Sequence, residues 1–143
     1  MTEQDLNDVI AGFREALRDY VKGDPEPAMS FFSDWDDVIL ANPLEPPRRP
    51  AEVGEAARRA AANFQAGGSL HFEEVFSSTF EEVSRFAASE LGYVLQIERH
   101  EGRVAGHHDT IVTALRATLV FRVRTAGGRS PTATQIRSRL PNP

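Results

Sequence analysis

The side chains that could do chemistry are few, and their spacing decides what each could do. Asp34, Asp36 and Asp37 surround Trp35, the single tryptophan of the chain. Carboxylates that close could share a proton or hold a cation, with Trp35 as a ligand wall. The alternative is that Asp34 caps a turn, Asp36 and Asp37 are solvated at a strand entry, and Trp35 is a packing aromatic. His107, His108 and Asp109 invite a metal reading, but successive strand residues point to opposite faces and zinc-type spacing is missing. His100 closes a strand beside Glu101 and is expected at the surface. His71 reaches a pocket if the tract around it is a strand. Arg116, between Ala114 and Thr118, could bind an anion, or it could pair across a hairpin with Gln96 or Glu98 for about 0.2 to 1 kcal/mol. Tyr93, with an apolar body and a hydroxyl, serves either as a pocket donor or as a satisfied core tyrosine. With no cysteine, disulfides, thiolate metal sites and a cysteine nucleophile are excluded. The sequence calls for no metal and no other cofactor.

The elements that must position these residues centre on Glu90 to Arg124. Two strand-like runs, Leu91 to His100 and Thr110 to Arg124, flank the turn-forming segment Glu101 to Gly106 and predict a long β-hairpin. In the first run Leu91, Tyr93, Leu95 and Ile97 alternate with Gly92, Val94, Gln96 and Glu98. In the second, Ile111, Leu115, Leu119 and Phe121 alternate with Val112, Arg116 and Val120. Each strand therefore offers an apolar face that needs a cover, and a mixed face.

The cover is expected from helices. Leu6, Val9, Ile10, Phe13, Leu17, Tyr20 and Val21 recur at three- and four-residue steps over Thr2 to Lys22, with Thr2 placed to cap and Gly23-Asp24-Pro25 placed to stop. A short second helix follows to Phe32 with Asp24 as its cap. Trp35 to Asn42 reads as a short strand. Asn42 to Pro50 holds four prolines in nine residues and predicts a stiff loop. Glu52 to Ala66 is rich in strong helix formers and stops at Gly67-Gly68. Ser69 to Ser89 fits a helix face and a strand parity alike; the hairpin's need for sheet partners favours a long or bulged strand. After Gly127-Gly128 only Ile136 and Leu140 are sizeable apolar groups, so a last strand there is weak and, because of Pro131, delayed or confined to an edge. The fold class is α+β, with N-terminal helices packed on a mostly antiparallel sheet, which the family resemblance described below implies is strongly curved.

The chain has 143 residues, enough for one domain over 1–143 and too few for a second. Its 41% hydrophobic and 26% charged content is that of a globular protein. A net charge of −5 without a basic stripe before the last fifteen residues argues against nucleic acid as partner. The acidic N-terminus lacks the features of a secretory signal and no run approaches a membrane span, which leads to the expectation of a cytoplasmic protein with no membrane partner.

The order of elements resembles the nuclear transport factor 2 (NTF2)-like superfamily, in particular its SnoaL-like, polyketide-cyclase-like branch, from Asp5 to about Arg129. The resemblance rests on Phe13 to Tyr20 followed by Lys22-Gly23-Asp24, on Phe31-Phe-Ser-Asp-Trp-Asp-Asp-Val38, and on Asn42-Pro43. It continues in Gly92-Tyr-Val94 and in Leu119-Val-Phe-Arg122 before Gly127-Gly128. It implies a cystatin-like cone, a curved sheet wrapped around helices, with a ligand pocket between the long helix and the concave face. Phe13, Tyr20, Trp35, Asp36, Asn42, His71, Tyr93 and Arg116 are the candidate pocket residues on that basis.

Family members include ketosteroid isomerase-like enzymes, cyclases, dehydratases and proteins without chemistry, and the fold does not choose among them. Isomerase-like members carry a carboxylate base before a proline where this chain has Asn42-Pro43, and an amide cannot take up a proton at neutral pH. They also place a phenol on the first helix where this chain offers Phe13 and Ala16. After Gly128 the chain departs from the family's usual ending, either as a divergent strand or through a shifted reading frame. The expected function is binding of a small apolar or polar-aromatic molecule, with an isomerase, cyclase or dehydratase type of activity at most weak. The alternative is a non-catalytic module that forms a homodimer through the mixed sheet face, using Val94, Gln96, Val112, Ala114, Thr118 and Val120.

Overall fold

A computed structural model describes residues 1–32, 40–42, 45–48, 52–122 and 132–139, with 40–42, 45–48 and 132–139 described by backbone alone. Helix α1 (Glu3–Tyr20) opens with a capping box between Thr2 and Asp5, as the sequence predicts. It buries Leu6, Val9, Ile10, Phe13, Ala16, Leu17 and Tyr20 along one stripe. Gly23, at φ 98°, turns the chain into the short α2 (Glu26–Met29), which ends before Phe32. Helix α3 (Val53–Ala62) also stops earlier than its composition suggests. Its Ala56, Ala57, Ala60 and Ala61 are buried, Ala60 and Ala61 in one apolar cluster with Ala16 and Tyr20 of α1.

The sheet has six strands in the order β2-β1-β6-β5-β4-β3, formed by β1 (Leu40–Asn42), β2 (Glu45–Arg48), β3 (Phe72–Ala87), β4 (Leu91–Val104), β5 (Ile111–Arg122) and β6 (Thr132–Arg139). Only the β1–β6 pairing is parallel. Glu45-Pro-Pro-Arg48, expected as loop, is an edge strand on β1, where prolines lacking a ladder donor are tolerated. The ambiguous tract after Ser69 is the long strand β3, and β6 begins at Thr132, the residue after Pro131. The first hairpin arm, β4, extends further than expected. Gly102 sits inside β4, and the turn lies beyond it, with Gly106 at φ 84°. A Cβ on Gly102 would run into the Glu74 carbonyl oxygen and come within 2.8 Å of the Phe72 ring, so close approach of β3 is what this glycine serves.

Strand β3 pairs with β4 through three interruptions, between Phe72 and Glu74, Val75 and Ser77, and Glu82 and Ser84. At each, two steps of β3 match one step of β4, which makes Glu73, Phe76 and Val83 the extra residues of β-bulges. Bulges bend and twist a strand, and three of them curl this end of the sheet over the helices. Phe76 and Val83 are more than half exposed.

The helix-covered face of β5 is the expected one, with Ala117, Leu119 and Phe121 buried under α1. On β4 the expectation is reversed. Gly92, Val94, Gln96, Glu98, His100, Gly102 and Val104 are buried beneath the helices, whereas Tyr93, Leu95 and Ile97 lie half-buried on the outer face. The register requires this, because Val94, Gln96 and Glu98 stand opposite Leu119, Ala117 and Leu115. Polar side chains can be buried when they hydrogen-bond to one another, so hydrophobic alternation alone does not choose the face.

Two apolar clusters join α1 to the sheet among the described residues. One joins Leu6, Ile10, Phe13 and Leu17 of α1 to Val94, Leu119 and Phe121. The other joins Ala16 and Tyr20 to Ala60, Ala61, Phe64, Phe72 and Val104. Among the described residues no helix is long and apolar enough to cross a membrane.

Candidate functional site

Between these clusters, on β4, runs a polar band. Gln96, Glu98 and His100 are 0%, 0% and 2% exposed, with Val94 of one cluster before them and Val104 of the other after them. Their β3 partners in register are Glu82, Phe80 and Ser78, and their β5 partners are Ala117, Leu115 and Thr113. Leu115 and Thr113 are only half-buried, so this part of the covered face is less tightly closed than the clusters beside it.

The band is wired in one direction. Arg14 Nε donates to Gln96 Oε1 at 2.9 Å, and Gln96 Nε2 donates to Glu98 Oε2 at 2.9 Å. The cation thus orients the amide, and the amide's N–H groups are turned toward the carboxylate. The second terminal nitrogen of Arg14 is 3.6 Å from Glu82 Oε1, an ion-pair distance too long for a hydrogen bond, and that buried atom has no other hydrogen-bond partner. Burial works against the charged guanidinium of Arg14 and lowers its pKa, while Glu82 and, less strongly, Glu98 oppose the shift. Arg14 and Arg18 both lie over the Phe80 ring, 5.7 and 5.1 Å from its centroid. The His100 ring meets Phe80 edge-on at 6.0 Å, and its Nδ1 shares a 2.8 Å hydrogen bond with Ser78 Oγ.

A buried carboxylate and a buried imidazole, two residues apart on one face of a strand and each held by a neighbour, can recognise a polar group on a ligand whose remainder rests against Leu115 and the clusters. Sequence reasoning missed Arg14, Ser78, Gln96, Glu98 and His100 as a set. The available signal was the run of three polar residues on one parity of an otherwise apolar strand.

The structure does not gather the sequence-predicted residues there as a group. Phe13 is in the core, its ring packed against Phe31, Phe32 and Phe121. Tyr20 is buried, and its hydroxyl donates to the Ala57 carbonyl at 2.8 Å, which ties α1 to α3. His71 precedes β3, with Nδ1 3.0 Å from the Phe64 carbonyl oxygen, and pins the turn after α3. Tyr93 is on the outer face beside Phe86, ring centroids 6.3 Å apart. Arg116 is exposed opposite Ile97, so it does not share a face with Gln96 or Glu98. His100 is buried rather than exposed. His107 and His108 are exposed in the β4–β5 turn. Asn42 ends β1, its backbone paired with Glu45. Trp35 and Asp36 lie outside the described residues. No three His, Cys, Asp or Glu side chains converge as metal ligands among the described residues.

No family model and no curated protein matches the sequence. Solved structures do match the fold. One, a proposed dehydratase from the NTF2-like family of Streptomyces avermitilis, has a TM-score of 0.67 at 18% identity, covering 97% of this chain and 96% of that one. A ketosteroid isomerase-like protein from Erwinia carotovora atroseptica has a TM-score of 0.67 at 15% identity, covering 99% of this chain and 100% of that one. A proposed calcium/calmodulin-dependent protein kinase type II association domain from Thiobacillus denitrificans has a TM-score of 0.66 at 18% identity, over 92% and 91%. SnoaL-like polyketide cyclases also share the fold. The chain has the α+β cone fold of these NTF2-like structures, as the resemblance implied.

Proposed function

We propose that the protein binds a small, largely apolar or polar-aromatic molecule against the helix-covered face of β4 and β5, with Glu98 and His100 as its polar contacts. The observation that carries this reading is the band Gln96-Glu98-His100, buried between two apolar clusters where apolar residues would pack more simply. Solved structures of the same fold that are described as a dehydratase and as ketosteroid isomerase-like agree with a small-molecule ligand. Their chemistry does not transfer directly, since Asn42 replaces the carboxylate at the isomerase base position and cannot accept a proton.

The test is a thermal-shift ligand screen on the wild type and on Glu98→Gln, with hits mapped by NMR. Binding at Glu98 and His100, weakened by the variant, is expected. Hits that map only to the outer face, or an experimental structure in which side chains fill the space beneath α1, would remove the reading.

A second reading is favoured by a separate observation. The outer face carries Tyr93, Leu95, Ile97, Thr118 and Val120 beside Phe86, which is 56% exposed. An apolar strip of that kind suits a symmetric contact with a second copy. The likeness to a structure described as an association domain points the same way. Val94 and Gln96, expected on this surface from the sequence, are on the covered side, and Tyr93, Leu95 and Ile97 take their place. Light scattering after size exclusion tests it: a dimer is expected at micromolar concentration, reverting to monomer in Leu95→Glu.

A further inference from the structure

The hydrogen-bonded chain that leads from α1 into β4 has a direction, and the direction bears on the ligand. Arg14 Nε donates to Gln96 Oε1 and Gln96 Nε2 donates to Glu98, so the chain begins on a cation and ends on an acceptor. A carboxylate offers about four acceptor positions on its two oxygens and no donor, and Gln96 uses part of that capacity. Among the described residues Glu98 is the single carboxylate that is fully buried. It stands in register between Phe80 of β3 and Leu115 of β5, both half-buried, so apolar surface flanks it on either side. An O–H or N–H group of a ligand finds a partner there. A ketone or ether oxygen meets only another acceptor, and the carboxylate gains nothing for the water it gives up.

Charge narrows the class further. Arg14 and Glu98 attract each other across Gln96, while Glu82 is bonded by Arg85 and lies 3.6 Å from Arg14. Two guanidinium groups therefore face two carboxylates, and the band is balanced among the described residues. An ammonium group brought to Glu98 would add a charge without a counter-ion, and a second carboxylate would add repulsion as well. Both are costly where water is excluded. A hydroxyl supplies the donor and no charge.

We propose that the ligand of the covered face is a neutral alcohol, its hydroxyl donating to Glu98 and its hydrocarbon body lying against Phe80 and Leu115. This rests on the small-molecule reading above and names the ligand class.

The test uses the full chain, isotopically labelled for NMR titration, and three matched sets of probes. One set is cyclohexanol, 2-indanol and 2-tetralol; the second is the corresponding ketones; the third is the corresponding primary amines, which are cations at neutral pH. The ring is kept and only the polar group changes. The alcohols are expected to bind at the Glu98 segment of β4 about tenfold or more tightly than the ketones and the amines, since a hydrogen bond to a charged group is at stake. In Glu98→Gln the side-chain amide both donates and accepts, so the alcohol-to-ketone ratio is expected to fall toward one. The wild-type comparison needs no variant and stands even if Glu98→Gln disturbs β4. Ketones or amines that bind as tightly as the alcohols, or an unchanged ratio in folded Glu98→Gln, would overturn the proposal. If no probe binds, the hits of the open screen that map to Glu98 decide: neutral hydroxyl compounds uphold the alcohol class, whereas acceptor-only or charged hits remove it and leave the binding reading standing. If no hit maps to Glu98, both fall.

Discussion

Gln96 stands between a guanidinium and a carboxylate, accepting from the one and donating to the other. Replacing it by alanine leaves Arg14 Nε and Glu98 Oε2 without these partners in the interior, and we expect a loss of about 2 to 4 kcal/mol in chemical denaturation. The triple variant Arg14→Met, Gln96→Leu, Glu98→Leu removes the whole polar chain at similar volume, and we expect it to unfold at higher denaturant than Gln96→Ala and close to the wild type. If the single alanine variant is as stable as the wild type, the hydrogen-bonded chain is not what holds this part of β4. Asn42 gives a second prediction at this scale. The wild type should show no measurable isomerisation of a β,γ-unsaturated ketosteroid, since the general base contributes about 10² to 10⁴-fold and an amide cannot supply it. Clear turnover in that assay would place the base elsewhere.

At the scale of elements, the amphipathic helix α1 and the hairpin were legible in the sequence, because apolar spacing and capping residues are local signals; the tract after Ser69 fitted helix and strand alike, and only the hairpin's need for sheet partners favoured the strand it forms. The covered face of β4 was not. Leu91, Tyr93, Leu95 and Ile97 are the more apolar parity, yet register with β5 and the hydrogen bonds from Arg14 and Ser78 put the other parity inside, and both depend on residues distant in sequence. Candidate site residues suffered most, since Tyr93 and Arg116 were assigned through that parity. Gly102 also reads as a turn residue until β3 is laid beside it. Gly102→Ala should destabilise by about 2 kcal/mol or more, because the added methyl meets the Glu74 backbone rather than a mobile side chain. Gly106→Ala tests a different cause: space is open around it, so only the positive φ resists, at about 1 kcal/mol. Equal melting temperatures for the two variants would contradict the distinction.

For the whole molecule, stability should fall on acidification through groups that join α1 to the edge of the sheet. The Glu82 carboxyl is held below its ordinary value chiefly by its hydrogen bond from Arg85, which also reaches Asn7 and Glu3 of α1. A lowered folded pKa means that the contribution is fully present above the unfolded carboxylate range and is lost as pH falls through the folded value. These side chains are partly exposed, so the effect should stay within about 1 kcal/mol. Comparing pH melts of the wild type and Glu82→Gln below about pH 5 measures it, and an unchanged difference between the two across that range would count against the contact.

The bulges of β3 have a consequence for how its length can change. In a regular strand, deleting one residue turns every later side chain to the opposite face. Glu73, Phe76 and Val83 have no counterpart of their own on β4, so removing any one of them brings its neighbours into ordinary succession and leaves each remaining residue opposite its present partner. Ser78 would still face His100 and Phe80 would still face Glu98. The strand can therefore be shortened at these three places, whereas loss of Phe80 would shift the frame of the strand and expel its inward residues. A chain lacking Val83 should fold and melt cooperatively, and a chain lacking Phe80 should not.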